Sequence, residues 1–129
     1  MRRCLDTNAY SRLMLGHPPL QACLEEADRV VMPVIVLGEL HAGFLAGARS
    51  RENEARLQAF LESPGVRIQD VTWDIARRYA LLVNHLRRAG TPIPTNDVWI
   101  AATALELGAR LVSYDAHFRK TPGLIVEAP

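Results

Sequence analysis

Short apolar runs alternate with longer stretches of helical periodicity from one end of the chain to the other. Residues 2–6, Arg29–Met32, Val66–Val71, Arg110–Ser113 and Leu124–Glu127 are brief, rich in Val, Ile and Leu, and bounded by polar or turn-forming residues, which predicts strands. Asp6-Thr7-Asn8 leads out of the first strand into a helix reaching about Leu15, and Gly16-His17-Pro18-Pro19 breaks it. A short helix over Leu20–Ala27 follows. Pro33 suits the first turn of the next helix, which runs to about Leu45, because a missing N–H costs nothing there.

Ser50 is placed to cap a polar helix through Leu61, which Ser63-Pro64-Gly65 ends. Thr72 caps a long helix to about Ala89, with Gly90 as its stop. Within it Ile75, Tyr79, Leu82 and Leu86 recur at three- and four-residue steps and mark the core face. Pro92 and Pro94 precede a last helix from Asn96 to Leu107, closed by Gly108. Strand and helix taking turns throughout predicts a parallel sheet covered on both faces. With no internal repeat and no linker, residues 1–129 read as a single α/β domain.

Composition adds mainly exclusions. No apolar stretch approaches the roughly 18 residues that would span a bilayer, so no membrane partner is expected. Asp6 and Asn8 interrupt any signal-peptide core after Arg2 and Arg3, which points to a cytoplasmic protein. Cys4 and Cys23 are too few for a disulfide framework and lack zinc-site spacing, so both are expected to be reduced, structural thiols. A net charge of +1 leaves nucleic acid neither favoured nor excluded. Lys120 is the only lysine among the 15 basic residues. The arginine fork suits phosphate, but high arginine usage also follows genome composition.

Four carboxylates change the picture. Asp6 closes the first strand, Glu39 interrupts the apolar run Val34–Leu40, Asp97 opens a small-residue helix, and Asp115 follows the strand Arg110–Ser113. Acidic side chains are seldom buried unless they are paired or hold a metal. In open parallel sheets, ligands bind beyond the carboxyl ends of the strands, where Asp6 and Asp115 both fall. Asp97 lies near where its preceding loop returns to the sheet. Glu39 shares a helical stripe with Ala42 and Gly43, small enough to let that face approach the site closely.

Such oxygen ligands favour Mg²⁺ or Mn²⁺. The ion would relieve the repulsion among the acids, lower the pKa of a bound water and neutralise charge on a phosphodiester under attack. The chain carries no Ser/His/Asp or Cys/His pairing to supply a nucleophile of its own. It has no Gly-rich phosphate loop either, which argues against nucleotide-triphosphate chemistry. Each acid also has an ordinary explanation: Asp6 as a helix cap, Asp97 as a first-turn acid favoured by the helix dipole, Asp115 as a turn residue. Glu39 is hardest to explain that way, since its neighbours are apolar. The conjunction carries the reading.

At these residues the chain resembles PIN-domain ribonucleases, most closely the VapC-type toxins of bacterial and archaeal toxin–antitoxin pairs. The motifs are Leu5-Asp6-Thr7-Asn8, Glu39-Leu40 with Gly43, Asn96 through Ala104, Ser113-Tyr114-Asp115-Ala116-His117-Phe118 and Pro122 through Val126. They fall in order over essentially the whole chain. The resemblance implies a three-layer α/β/α sandwich with a central parallel sheet, Mg²⁺- or Mn²⁺-dependent endoribonuclease activity on RNA, and inhibition by a small antitoxin protein. It implies that Asp6, Glu39, Asp97 and Asp115 are the catalytic, metal-holding acids, with Thr7, Asn8 and Ser113 in support. Ser113 stands where relatives more often have Thr, and His117 where many carry a further acid.

Secondary candidates lie outside the four acids. Arg77 and Arg88, with Asn84 between them, share a helix face that could line an RNA path, and His117 could contact RNA phosphate. Tyr10, Leu13, Met14, Phe44 and Leu45 could form a groove for an antitoxin segment or a homodimer contact, or simply pack in the core. Two other functional classes compete. One is a catalytically silent PIN-like module that binds RNA or protein, which loss of acids would favour. The other is a phospho-acceptor at Asp6, disfavoured because Asn8 stands where a second Asp is usual.

Overall fold

The computed structural model describes residues 1–129. Its centre is an all-parallel sheet of five strands in the order β3-β2-β1-β4-β5. The strands are β1 (Arg2–Leu5), β2 (Arg29–Pro33), β3 (Val66–Gln69), β4 (Arg110–Val112) and β5 (Val126–Glu127). The helices are α1 (Thr7–Met14), α2 (Pro18–Glu25), α3 (Val34–Ala46), α4 (Ser50–Leu61), α5 (Trp73–Arg88) and α6 (Thr95–Glu106). A 3₁₀ turn over Ala116–Lys120 joins β4 to β5.

The chain steps outward from β1 to β3, then crosses back to β4 on the other side of β1. Right-handed crossovers therefore put α1–α4 on one face and α5–α6 on the other, the three layers expected. Strand β1 lies innermost, with Cys4 in register with Val31 on one side and Leu111 on the other. From Arg3 to Leu5 every β1 residue is buried, as a strand covered on both faces requires. Both cysteines are buried and unpaired, and burial pushes their thiols up in pKa. Helix α6 buries Ala101, Ala102, Thr103 and Ala104, whose small size seats it close against its neighbours. Helix α5 buries Ile75, Leu82 and Leu86, while half-buried Tyr79 stacks on Trp99 of α6 at 3.8 Å between ring centroids.

Some boundaries differ from the sequence reading, each for a local reason. Pro33 is the last residue of β2 and caps α3 from outside, since its φ of −61° and ψ of 139° are extended. Ser50 is the first helical residue of α4 and makes no capping bond; the cap position is Arg49. Strand β3 stops at Gln69, because β2, its only neighbour, ends at the paired Pro33 and leaves nothing for Asp70 and Val71 to bond. Gly43 does not serve close packing: a Cβ there would meet no atom within 4 Å.

Arg3 is a charged residue in the innermost strand, only 3% exposed. Its guanidinium grips Glu127 of β5 with Nε–Oε1 at 2.8 Å and Nη2–Oε2 at 3.2 Å, and Nη1 donates to the Cys23 carbonyl at 2.6 Å. A bidentate partner and a carbonyl satisfy the buried charge. No helix is long and apolar enough to cross a membrane.

Candidate metal centre

The strand order reverses between β1 and β4, and the crevice beyond their carboxyl ends is where a ligand is expected. Asp6 follows β1 directly and caps α1, its Oδ1 accepting from the Ala9 N–H at 2.8 Å. Its Oδ2 accepts a short hydrogen bond from the Ser113 hydroxyl, just past β4. Capping and site-building thus use different oxygens of one carboxylate.

Ser113 Oγ also accepts from the Asp115 N–H at 3.0 Å, so one hydroxyl ties Asp6 to the turn carrying Asp115. Asp115 then caps the 3₁₀ turn, its Oδ1 accepting from the His117 N–H at 2.9 Å. This folds the His117 ring back over the acids. Its Nδ1 lies 3.1 Å from Asp97 Oδ2 and 3.2 Å from Asp115 Oδ1. From the far wall, Thr7 donates to Glu39 Oε1 at 2.7 Å. Pro94, in extended conformation, starts α6 so that Asp97 stands in its first turn.

All four acids line one open cavity of about 490 Å³, together with Thr7, Asn8, Thr95, Asn96 and His117. Asp6 is 5% exposed, and its burial lifts its pKa above the ordinary carboxylate range. The bonds from Ser113 and Ala9 oppose that lift, while the charges of Asp97 and Asp115 add to it. Asp97 is raised in the same way, first by burial, then by Asp115 and Glu39, against the opposing hydrogen bond of His117. Acids buried first, and crowded second, until they hold their protons more tightly are acids a cation would relieve. Asp97, Asp115 and His117 each present a donor atom within 4.8 Å of the others, and the remaining wall supplies oxygens, so the donor set fits a divalent ion.

Not every candidate from the sequence is brought here. Arg77 and Arg88 are exposed on α5 and do not line the cavity. Tyr10 is buried, Leu13, Met14 and Phe44 pack partly against the core, and Leu45 is 78% exposed. The doubled role of Ser113 and the inward turn of His117 were not read from the sequence. The spacing Asp115-x-His117, an acid capping a tight turn two residues before an imidazole, was the available signal.

Residues 3–124 match the PIN domain family. This chain is a PIN-domain protein. Among curated relatives, the PIN domain here is 31% identical over 119 residues to ribonuclease VapC5 of Mycobacterium tuberculosis, covering 92% of this chain and 87% of that one. It is 34% identical over 115 residues to ribonuclease VapC1 of Haemophilus influenzae, covering 86% and 84%. Among solved structures, it matches VapBC2 from Rickettsia felis bound to a promoter DNA fragment, with a TM-score of 0.86 and 27% identity over 98% of both chains. VapBC-1 from nontypeable Haemophilus influenzae matches with a TM-score of 0.88 at 27% identity, over 98% of this chain and 97% of that one. The PIN-like α/β architecture expected from the motifs is the one observed.

Proposed function

We propose that this PIN domain is a metal-dependent endoribonuclease and the toxin of a toxin–antitoxin pair. The observation that carries the proposal is the convergence of Asp6, Glu39, Asp97 and Asp115 on one cavity at the β1–β4 reversal. Relatives named VapC ribonucleases support the substrate class. In this reading the four acids are the catalytic cluster and hold Mg²⁺ or Mn²⁺. When bound, such an ion supplies an activated water and offsets charge gathering on the scissile phosphate.

The chain's own residues prepare the place. The Ala9 N–H and the Ser113 hydroxyl fix both oxygens of Asp6, and Thr7 fixes one oxygen of Glu39. The N-terminal turns of α1 and α6 both open onto the cavity through Thr7, Asn8, Thr95 and Asn96. Their free N–H groups favour an anionic phosphate. Arg77 and Arg88 suit phosphates further along an RNA, outside the cavity.

A small antitoxin protein is the proposed partner, in keeping with the VapBC complexes among the solved relatives. Tyr10, Met14, Leu15 and Phe44, together with Ser11, Asn53 and Arg56, line a second cavity of about 230 Å³, which suits an amphipathic segment of that partner or of a second copy in a homodimer. The proposed setting is the cytoplasm.

The test is cleavage of structured RNA by the purified protein with Mg²⁺ or Mn²⁺, repeated with Asp6→Asn and Asp97→Asn. Both variants are expected to be inactive while folding normally. Undiminished cleavage by both would overturn the carboxylate mechanism.

A further inference from the structure

We propose that His117 is itself a ligand of the ion at the acidic cluster, through Nδ1, and that it biases the site toward Mn²⁺ over Mg²⁺. The inference rests on the metal-centre reading above and deepens it by naming a ligand and a preference.

Geometry comes first. Nδ1 is the ring atom facing the acids, at 3.1 Å from Asp97 Oδ2 and 3.2 Å from Asp115 Oδ1. An octahedral ion with bonds of about 2.1 Å sets neighbouring donors about 3.0 Å apart. The nitrogen therefore already stands from both oxygens at the separation of donors on a single ion. In the metal-free protein Nδ1 lies within hydrogen-bonding distance of both carboxylates, and an ion would take the place of that contact.

The ring's placement does not depend on those contacts alone. The His117 backbone N–H is tied to Asp115 Oδ1, and the next residue, Phe118, is 1% exposed and anchors the 3₁₀ turn in the core. The His117 side chain stays 45% exposed. It is not core filler, and its nitrogen is open to an ion entering the cavity.

Chemistry then sets the preference. Mg²⁺ is a hard ion that favours oxygen and gives up water reluctantly, whereas imidazole suits first-row transition ions. Exchanging one oxygen donor for a nitrogen penalises Mg²⁺ more than Mn²⁺. Mn²⁺ is the weakest binder of its row, so a preference seen with it is the smallest the row should show.

The experiment uses the full chain with Mn²⁺ as the probe. Pulsed electron paramagnetic resonance on protein carrying ¹⁴N- or ¹⁵N-histidine reads directly bound nitrogen, and calorimetry reads Mn²⁺ and Mg²⁺ affinities. The wild type is expected to show histidine coupling that His117→Gln and His117→Asp abolish while Mn²⁺ still binds. The Mn²⁺:Mg²⁺ affinity ratio should fall by about tenfold or more in His117→Asp, the scale on which losing even an outer-shell partner of a metal is felt. Mn²⁺ bound without nitrogen coupling, coupling that survives His117→Gln, or an unchanged ratio would each overturn the inference and leave the acidic centre standing. Failure of the wild type to bind Mn²⁺ at all would overturn both.

Discussion

The Thr7 hydroxyl donates to Glu39 Oε1 at 2.7 Å and so joins the first turn of α1 to the second turn of α3. Glu39 has no other anchor of this kind, so its aim depends on a residue thirty-two positions earlier. Thr7→Val keeps the shape and removes the donor. It is expected to cost about 1 kcal/mol of stability or less. Mn²⁺ affinity should nonetheless drop by about 10- to 100-fold, the usual effect of losing a group that orients a metal ligand. Thr7→Ser should restore it. Calorimetry beside a denaturant titration separates the two effects, and a Val variant that binds the ion normally would contradict the assignment.

Asp97 gives a prediction of opposite sign for the metal-free protein. Its raised pKa means the folded state holds that proton more tightly than the unfolded chain does. Stability is therefore lost as pH rises from the ordinary carboxylate range through the raised folded value, and the loss is complete above it. Asp97→Asn removes the charge and should melt higher than the wild type in EDTA at neutral pH. The same variant should lose the rise in Tm that Mn²⁺ gives the wild type. Thermal scans with and without chelator decide it; an Asn variant melting lower in EDTA would count against the crowding account.

Ser113 is 1% exposed and serves two partners, Asp6 Oδ2 and the Asp115 N–H. Ser113→Ala strands a buried carboxylate oxygen and weakens the tether of the turn. A loss of about 1–3 kcal/mol is expected, the range for an unsatisfied buried polar group. Equilibrium unfolding in urea measures it. A loss under about 0.5 kcal/mol would mean that water replaces the hydroxyl with ease.

The Arg3–Glu127 pair sets an acid limit on the fold. The Arg3 guanidinium holds the Glu127 carboxyl below the usual glutamate range. A lowered folded pKa gives stability that is present above the unfolded glutamate value and lost as pH falls through the folded one. Glu127→Ala leaves Arg3 buried with only the Cys23 carbonyl and Glu26, at 3.6 Å, for company. The expected loss near pH 7 is toward the lower end of about 3–5 kcal/mol. The variant should also show a flatter dependence of stability on pH below 5 than the wild type.

Apolar runs, caps and Gly/Pro breakers located the six α-helices and five strands, with a clear helical repeat in α5, while the 3₁₀ turn over Ala116–Lys120 went unread. These signals placed ends less well where pairing rather than propensity decides them: Val71 suits a strand, but no neighbour extends far enough to hold it. Asp6 and Asp115 were legible as strand-end acids, since topology alone aims such positions at the crevice. Arg3 and Glu127 were not, because their pairing joins the second residue of β1 to the last of β5 and only the folded sheet brings them together. Ser113 and His117 were seen as neighbours of the acids. Their hydrogen bonds depend on the path of a short 3₁₀ turn, which no repeat encodes.

Strand β1 sits innermost, and both its neighbours are made after it. During translation its backbone must wait unpaired while β2 is synthesised, and longer still for β4. Asp115 is synthesised roughly another hundred residues after Asp6, or about 5–20 seconds later at ordinary elongation rates. A nascent or prematurely terminated product lacking β4 cannot assemble the cluster. The order of the strands thus imposes a lag between the synthesis of β1 and the first moment the cluster can form.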